Sequence, residues 1–374
     1  MRARAVYFAA LLLTALAAFG LPRADGVEDA APHFEVDPFW PRPLPDEWLL
    51  GSVVGVDVDA RDHVWIVHRP GTLAEREEAF AATSPPRATC CVAAPPVIEF
   101  GPGGEVIQAW GGPGAGYEWP GSEHGIFVDH KDNVWVAGGG DGDHQVLKFS
   151  RDGTFLLQIG RAGQTGGSNH ETLLGQPADI AVDPETNEVY VADGYLNKRV
   201  IVFDAETGAY RRHWGAYGER PDDADPGPYD PEAASPRQFR SPVHAVRIAD
   251  DGLVYVCDRV NNRIQVFHKD GRFVDEVVIA PSTLLMGAAW DVDFSPDDAQ
   301  TFLYNVDGMN QHVWTLRREE LRILGQFGRH GRYAGQFHWL HSVAVDSHGN
   351  LFTGETHTGQ RVQKFVYRGP APRS

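Results

Sequence analysis

The sequence predicts an all-β fold: a six-bladed β-propeller whose ring is closed by its N-terminal strand. Three observations carry this. Short apolar runs alternate with polar residues and are bounded by Gly, Asp and Asn, which points to strands over helices. The runs form a unit that recurs along the chain: apolar strand, Asp-x-x-Gly/Asn turn, second strand, polar loop, an Arg/Gln-Val-x-x-Phe strand, and a fourth strand ending in Trp-Gly or Phe-Gly. The last unit lacks its fourth strand, while an unpartnered strand-like segment precedes the first. Four short strands per unit, repeated in a ring, make a propeller.

The positions that open the six units align as Val54, His124, Ala178, His244, Trp290 and His341. The first unit holds Gly55-Val-Asp-Val-Asp59 and Val64-Trp-Ile-Val-His-Arg69, and the second holds His124-Gly-Ile-Phe-Val-Asp129 and His144-Gln-Val-Leu-Lys-Phe149. The third shows the pattern best, in Asp179–Asp183, Glu188–Asp193, Arg199–Phe203 and Tyr210–Trp214. The fourth repeats it in Val246–Ile248, Leu253–Asp258, Arg263–Phe267 and Phe273–Ile279. The fifth opens at Trp290, and the sixth runs from His341-Ser-Val-Ala-Val-Asp346 to Arg361-Val-Gln-Lys-Phe-Val-Tyr367. The segment His33–Phe39 is expected to pair with Arg361–Tyr367, because an open ring would leave that edge bare.

A chain of 374 residues could hold two domains, but the continuous repeat argues for one, over residues 27–374. The apolar run Val6–Leu21 behind Arg2 and Arg4 reads as a secretory signal over residues 1–26, which predicts a secreted or periplasmic protein with no membrane span after its removal. The formal charge is −18; losing Arg2, Arg4, Arg23 and Asp25 with that leader would leave the rest near −20. With no basic stripe, nucleic acid is not an expected partner, and a monomer is expected. Of the three cysteines, Cys257 lies in a strand as a buried apolar residue, and the adjacent Cys90 and Cys91 sit in a long loop without an obvious disulfide framework.

The histidines carry the chemistry. His124, His244 and His341 open alternate units, so a ring of six sets them a third of a turn apart. Three imidazoles then converge on the axis with one coordination place open, the pattern of a catalytic zinc site. The other histidines lack this phasing. First strands run away from the histidine face and second strands return to it, so the long loops gather there, where loops usually build function. The same rule puts Arg69, Tyr195, Asp258, Arg259, Asp307, Glu355 and His357 around the mouth.

These motifs resemble those of the peptidyl-α-hydroxyglycine α-amidating lyase family, six-bladed propellers of NHL-type repeats. The resemblance rests on Gly55–Asp59 with Val67-His-Arg69, on His124–Trp135, on Gln176–Val182 with Ala192-Asp-Gly-Tyr-Leu-Asn197, on Asp258–Gln265, and on His341 with Glu355-Thr-His-Thr358. It implies that His124, His244 and His341 hold zinc, that Tyr195 is the catalytic base and that Arg69 anchors the substrate carboxylate. A structural calcium would fall on the backbone carbonyls of Val56 and Ile126. Ser342 stands where the family has an aspartate ligand, so calcium is expected to bind weakly or not at all. Trp339 replaces a methionine near the zinc and reshapes the pocket wall, and Leu196 and Val266 stand where the family has cysteines.

The implied reaction cleaves the C–N bond of a carbinolamide, giving a peptide amide and glyoxylate. Zinc would polarise the hydroxyl, and Arg69 would grip the carboxylate. Two other readings fit the same residues: a metal-dependent lyase or hydrolase on another secreted substrate, such as a lactone or cyclic peptide, and a non-enzymatic NHL-repeat binding module. The phased histidines speak against the second.

Overall fold

A computed structural model describes residues 30–75, 87 and 89–371. The expected leader, residues 1–26, and much of the loop between Pro70 and Pro96 lie outside the described residues. Among the described residues, no helix is long and apolar enough to cross a membrane.

Six four-stranded antiparallel sheets form the ring. Blade 1 holds Ser52–Val58, Val64–Arg69, Val97–Phe100 and Val106–Trp110. Blade 2 holds Glu123–Val128, Val134–Gly138, Gln145–Phe149 and Phe155–Gly160. Blade 3 follows with Pro177–Asp183, Glu188–Asp193, Arg199–Asp204 and Tyr210–Trp214. Blade 4 is Val243–Ile248, Leu253–Asp258, Arg263–His268 and Phe273–Val278. Blade 5 is Asp291–Phe294, Phe302–Asp307, His312–Arg317 and Arg322–Phe327. Blade 6 takes Leu340–Val345, Leu351–Glu355 and Arg361–Pro370 from the C-terminal end of the chain, and Pro32–Asp37 from the other.

The closing strand is therefore the predicted one, with Phe34 opposite Tyr367 and Val36 opposite Phe365. It ends at Asp37, short of Phe39, whose ring is exposed beyond the ladder. Phe34 packs on Tyr304, Phe327 and Tyr367 at centroid distances of 5.6, 5.2 and 6.0 Å. Between blades, the core is built from apolar residues that alternate along each strand, such as Val200, Val202, Val254 and Val256 between blades 3 and 4.

A charged clasp recurs where the second strand meets the third. Asp193 pairs with Arg199, and Asp258 with Arg263, each at 2.8 Å and all four side chains fully buried; Glu355 pairs with Arg361 at 2.7 Å. Asp258, Asp307 and Glu355, expected around the mouth, are instead turned into these joints: Asp307 accepts from Asn310 and Trp314. They end the strand on its inward-facing side, where an acid must find a donor. Cys257 is buried, as expected, and Cys90 is joined to Cys91 by a disulfide.

Candidate metal centre

The first strand of each blade lines the axis. In five of the six, the pairing with the second strand slips at its entry, between Val53 and Gly55, Glu123 and Ile126, Pro177 and Asp179, Val243 and Ala245, and Leu340 and Ser342. His124, His244 and His341 all fall inside these irregularities. A bulge re-aims the side chain it carries, and here it turns each imidazole toward the axis. Gly125 lets the neighbouring strand close in: a Cβ there would stand 2.6 Å from the Ala178 carbonyl oxygen.

The three rings form a nearly equilateral triangle, with centroids 5.0, 4.9 and 4.9 Å apart. One ring nitrogen from each lies within 4.8 Å of the others, a group able to hold a metal ion. His124 Nδ1 donates to the Ala178 carbonyl at 2.7 Å, and His244 Nδ1 to the Trp290 carbonyl at 2.6 Å. Those bonds fix the tautomer and leave each Nε2 as an unprotonated ligand atom. The Nδ1 of His341 has no partner among the described residues. Burial holds all three imidazoles well below the ordinary histidine range, and the cations Arg69 and Arg259 push the same way. Neutral imidazole is the form that binds metal, so these residues fit a zinc ion by donor type and spacing, and His124 and His244 also by tautomer.

The Tyr195 hydroxyl lies 2.8 Å from His124 Nε2 and 3.2 Å from His244 Nε2. Arg259 donates to the same hydroxyl at 3.2 Å, and its guanidinium lies over the Trp290 ring at 4.5 Å. Arg69 donates through Nε to the carbonyl of Glu123 at 2.6 Å, beside His124. Burial lowers its pKa, but a guanidinium starts so high that it keeps its charge. Arg69, Tyr195 and the three histidines are thus brought to one place. Trp339, at a φ of +62°, stacks on His357 at 4.5 Å. The indole packed against the triangle is Trp290, 5.5 Å from His244 and 5.6 Å from His341. Its signal was available in the sequence, because it occupies the fifth aligned opening position.

Below the histidines the axial cavity is lined by Val56, Ile126 and Ser342, together with Asp179, Asp291 and Arg247. Arg247 is buried and donates to Asp179 at 2.8 Å, and Asp57, Asp291 and Asp293 attract it from around the ring. This set does not fit calcium. A fixed guanidinium already supplies positive charge in the channel, and Ser342 offers only a buried hydroxyl without a hydrogen-bond partner. A second group of candidate ligands, Asp59, His63 and Glu99, is bridged by Arg151, which lies 2.7 Å from Asp59.

Residues 174–203 and 243–267 match the NHL repeat, and they cover the first three strands of blades 3 and 4. The protein is a six-bladed β-propeller that carries NHL repeats in blades 3 and 4. Among named relatives, it is 31% identical over 252 residues to peptidyl-glycine alpha-amidating monooxygenase B of Xenopus laevis, covering 65% of this chain and 26% of that protein. It is 25% identical over 346 residues to peptidyl-alpha-hydroxyglycine alpha-amidating lyase 1 of Drosophila melanogaster, covering 86% of this chain and 58% of that protein. It is 26% identical over 302 residues to NHL repeat-containing protein 3 of Mus musculus, covering 78% of this chain and 70% of that protein. The chain spans about a quarter of the length of the monooxygenase relative. The resemblance to amidating lyases is thus supported by relatives that bear that name. A solved streptogramin B lyase shares the fold, with a TM-score of 0.52 at 12% identity over 90% of this chain and 98% of that one.

Proposed function

We propose that this protein is a zinc-dependent carbon–nitrogen lyase that splits a peptide ending in α-hydroxyglycine, or a close carbinolamide, into a peptide amide and glyoxylate. The observation that carries the reading is the histidine triangle with a tyrosine hydroxyl set against two of its members. A binding platform has no need of three neutral, converging imidazoles.

His124, His244 and His341 would hold the zinc, which would supply Lewis-acid chemistry at the substrate hydroxyl. Tyr195 takes the hydroxyl proton as the C–N bond breaks and returns a proton to the departing amide nitrogen, so that carbinolamide becomes amide plus aldehyde with no other reactant. Arg259, donating to the Tyr195 hydroxyl at 3.2 Å, holds that oxygen in place for the transfer. Arg69 holds the carboxylate that leaves as glyoxylate. Trp290 closes one wall and keeps water from the reacting carbon. The reading includes export across a membrane, supported by the apolar run Val6–Leu21, and a small-molecule partner in place of nucleic acid.

The test is elemental analysis followed by assay. Purified protein should carry about one zinc per chain and release glyoxylate from α-hydroxyglycine peptides. His124→Ala, His244→Ala and His341→Ala should each lose the metal while the far-ultraviolet circular dichroism stays that of a β-protein. Zinc-loaded protein that releases no glyoxylate would overturn the reading. Calcium added after chelation should leave the melting temperature unchanged, because Arg247 already occupies the channel as a cation; a rise at stoichiometric calcium would contradict that.

A further inference from the structure

Beside the metal centre, on the same face, lies a cleft of about 570 Å³, within the size range of small-ligand sites. Its walls are mostly apolar, with Tyr229, Val260, Leu284, Leu285, Pro226 and Pro228; Lys198, Asp225 and Arg240 also line it, and Lys198 and Arg240 are engaged with backbone carbonyls. The cleft is formed by the connections from blade 3 to blade 4 and from blade 4 to blade 5, which Tyr229 joins by donating to the Pro281 carbonyl at 2.8 Å.

Two features show that the leucines are held out on purpose. Leu284 is 53% exposed and Leu285 81%, although neither would choose water over an apolar partner. Leu285 also sits at a φ of +63°, a left-handed conformation unfavourable for leucine. The loop that carries them is not loose. Asn262 grips both its ends, donating to the Thr283 carbonyl at 2.8 Å and accepting from the Ala288 N–H at 2.7 Å. Strain maintained by a built clamp around exposed apolar side chains marks a surface that awaits an occupant.

The inner end of the cleft identifies that occupant. Ser241 lines the cleft and donates to the carbonyls of Tyr195 and Gly194. Val260 follows Arg259, whose guanidinium touches the Tyr195 hydroxyl. The cleft therefore opens from the backbone that carries two groups of the metal centre. A peptide whose last carbon reacts at the histidines must leave the axial pit across the rim, and this is an apolar exit.

We propose that the cleft receives the side chain of the residue preceding the carbinolamide, which makes the protein selective for peptides with an apolar residue at that place, with Leu284, Leu285, Val260 and Tyr229 setting the preference. The proposal rests on the lyase reading for the identity of the reacting end.

The test compares acetyl-Phe-α-hydroxyglycine with acetyl-Gly-α-hydroxyglycine on the zinc-loaded protein. The ratio of kcat/KM should favour the phenylalanine peptide by about 10- to 100-fold, the worth of burying one large apolar side chain. In the Leu284→Ser/Leu285→Ser double variant this ratio should fall toward one. General damage to the fold would lower both rates and leave the ratio. Calorimetric binding of acetyl-Phe-amide against acetyl-Gly-amide gives a readout independent of turnover, with the same preference expected and the same loss in the variant. A ratio near one in the unmodified protein, or a preference that survives in the variant, overturns the cleft assignment while the lyase reading stands. No glyoxylate from either peptide, with the amide preference present and lost in the variant, removes the lyase reading and supports the cleft. Equal binding of both amides overturns the cleft whatever the turnover.

Discussion

Tyr195 is the residue on which chemistry and structure can be separated most cleanly. Its hydroxyl bridges His124, His244 and Arg259, while its backbone is held independently by the carbonyl of Gln176 and by Ser241. Tyr195→Phe removes one oxygen and leaves those backbone bonds. Turnover should fall by about 100-fold or more, the usual worth of a positioned acid–base group, with zinc content unchanged. Zinc lost along with activity would make Tyr195 a support for the ligands and not the base. Arg69 and Tyr195 were legible because each ends or follows a second strand in a repeat whose direction is known. Along the chain Trp290 is only the residue that opens the unit between two histidine-led units; around the axis its indole packs against both His244 and His341.

At the scale of the element, the closing strand holds the whole circle. Pro32–Asp37 supplies the outer edge of blade 6 and half-buries Phe34 and Val36 against the core between blades 5 and 6. Removing residues up to Phe39 forfeits roughly 2–4 kcal/mol from those two side chains and leaves Arg361–Pro370 as a bare edge. The melting temperature should drop by about 5 °C or more, and the truncated protein should associate through the exposed edge. An unchanged melting temperature with a monomeric truncated chain would show that the ring does not depend on this strand. The strand was predictable because a missing fourth strand and a spare segment are both countable. The clasps were not. Asp258, Asp307 and Glu355 read as mouth residues from their position along the chain, and only the pairing of second with third strands shows each meeting a donor inside the blade.

The whole molecule carries an excess of buried acid in its axial channel. Asp57, Asp179, Asp291 and Asp293 surround the cation Arg247. Burial pushes Asp57 up to about 7 and Asp293 up to about 6, with Arg247 opposing. A carboxyl raised in the folded state favours folding while it is protonated. That contribution is full below the unfolded value near 4 and is lost as pH rises through about 6 to 7. Asp57→Asn keeps an acceptor for the Val128 N–H, which Asp57 now binds at 2.6 Å, and cannot ionise. The melting temperature of Asp57→Asn relative to the unmodified protein should therefore rise as pH increases from about 4 to 7. A difference independent of pH would mean that Asp57 is ionised throughout.

Read alone, the sequence determined the repeat, the number of blades, the closing strand and the phase of the three histidines, because each is a matter of period and order along the chain. Periodicity follows from local backbone geometry, in which alternating side chains must face opposite sides of a strand. The bulges that turn His124, His244 and His341 inward, Trp290 against the triangle, the acids around Arg247 and the strained Leu285 beside the cleft were decided only by tertiary structure. All of these depend on which residues meet across blades that are distant in sequence. Desolvation and packing at such meetings act only after the ring has closed.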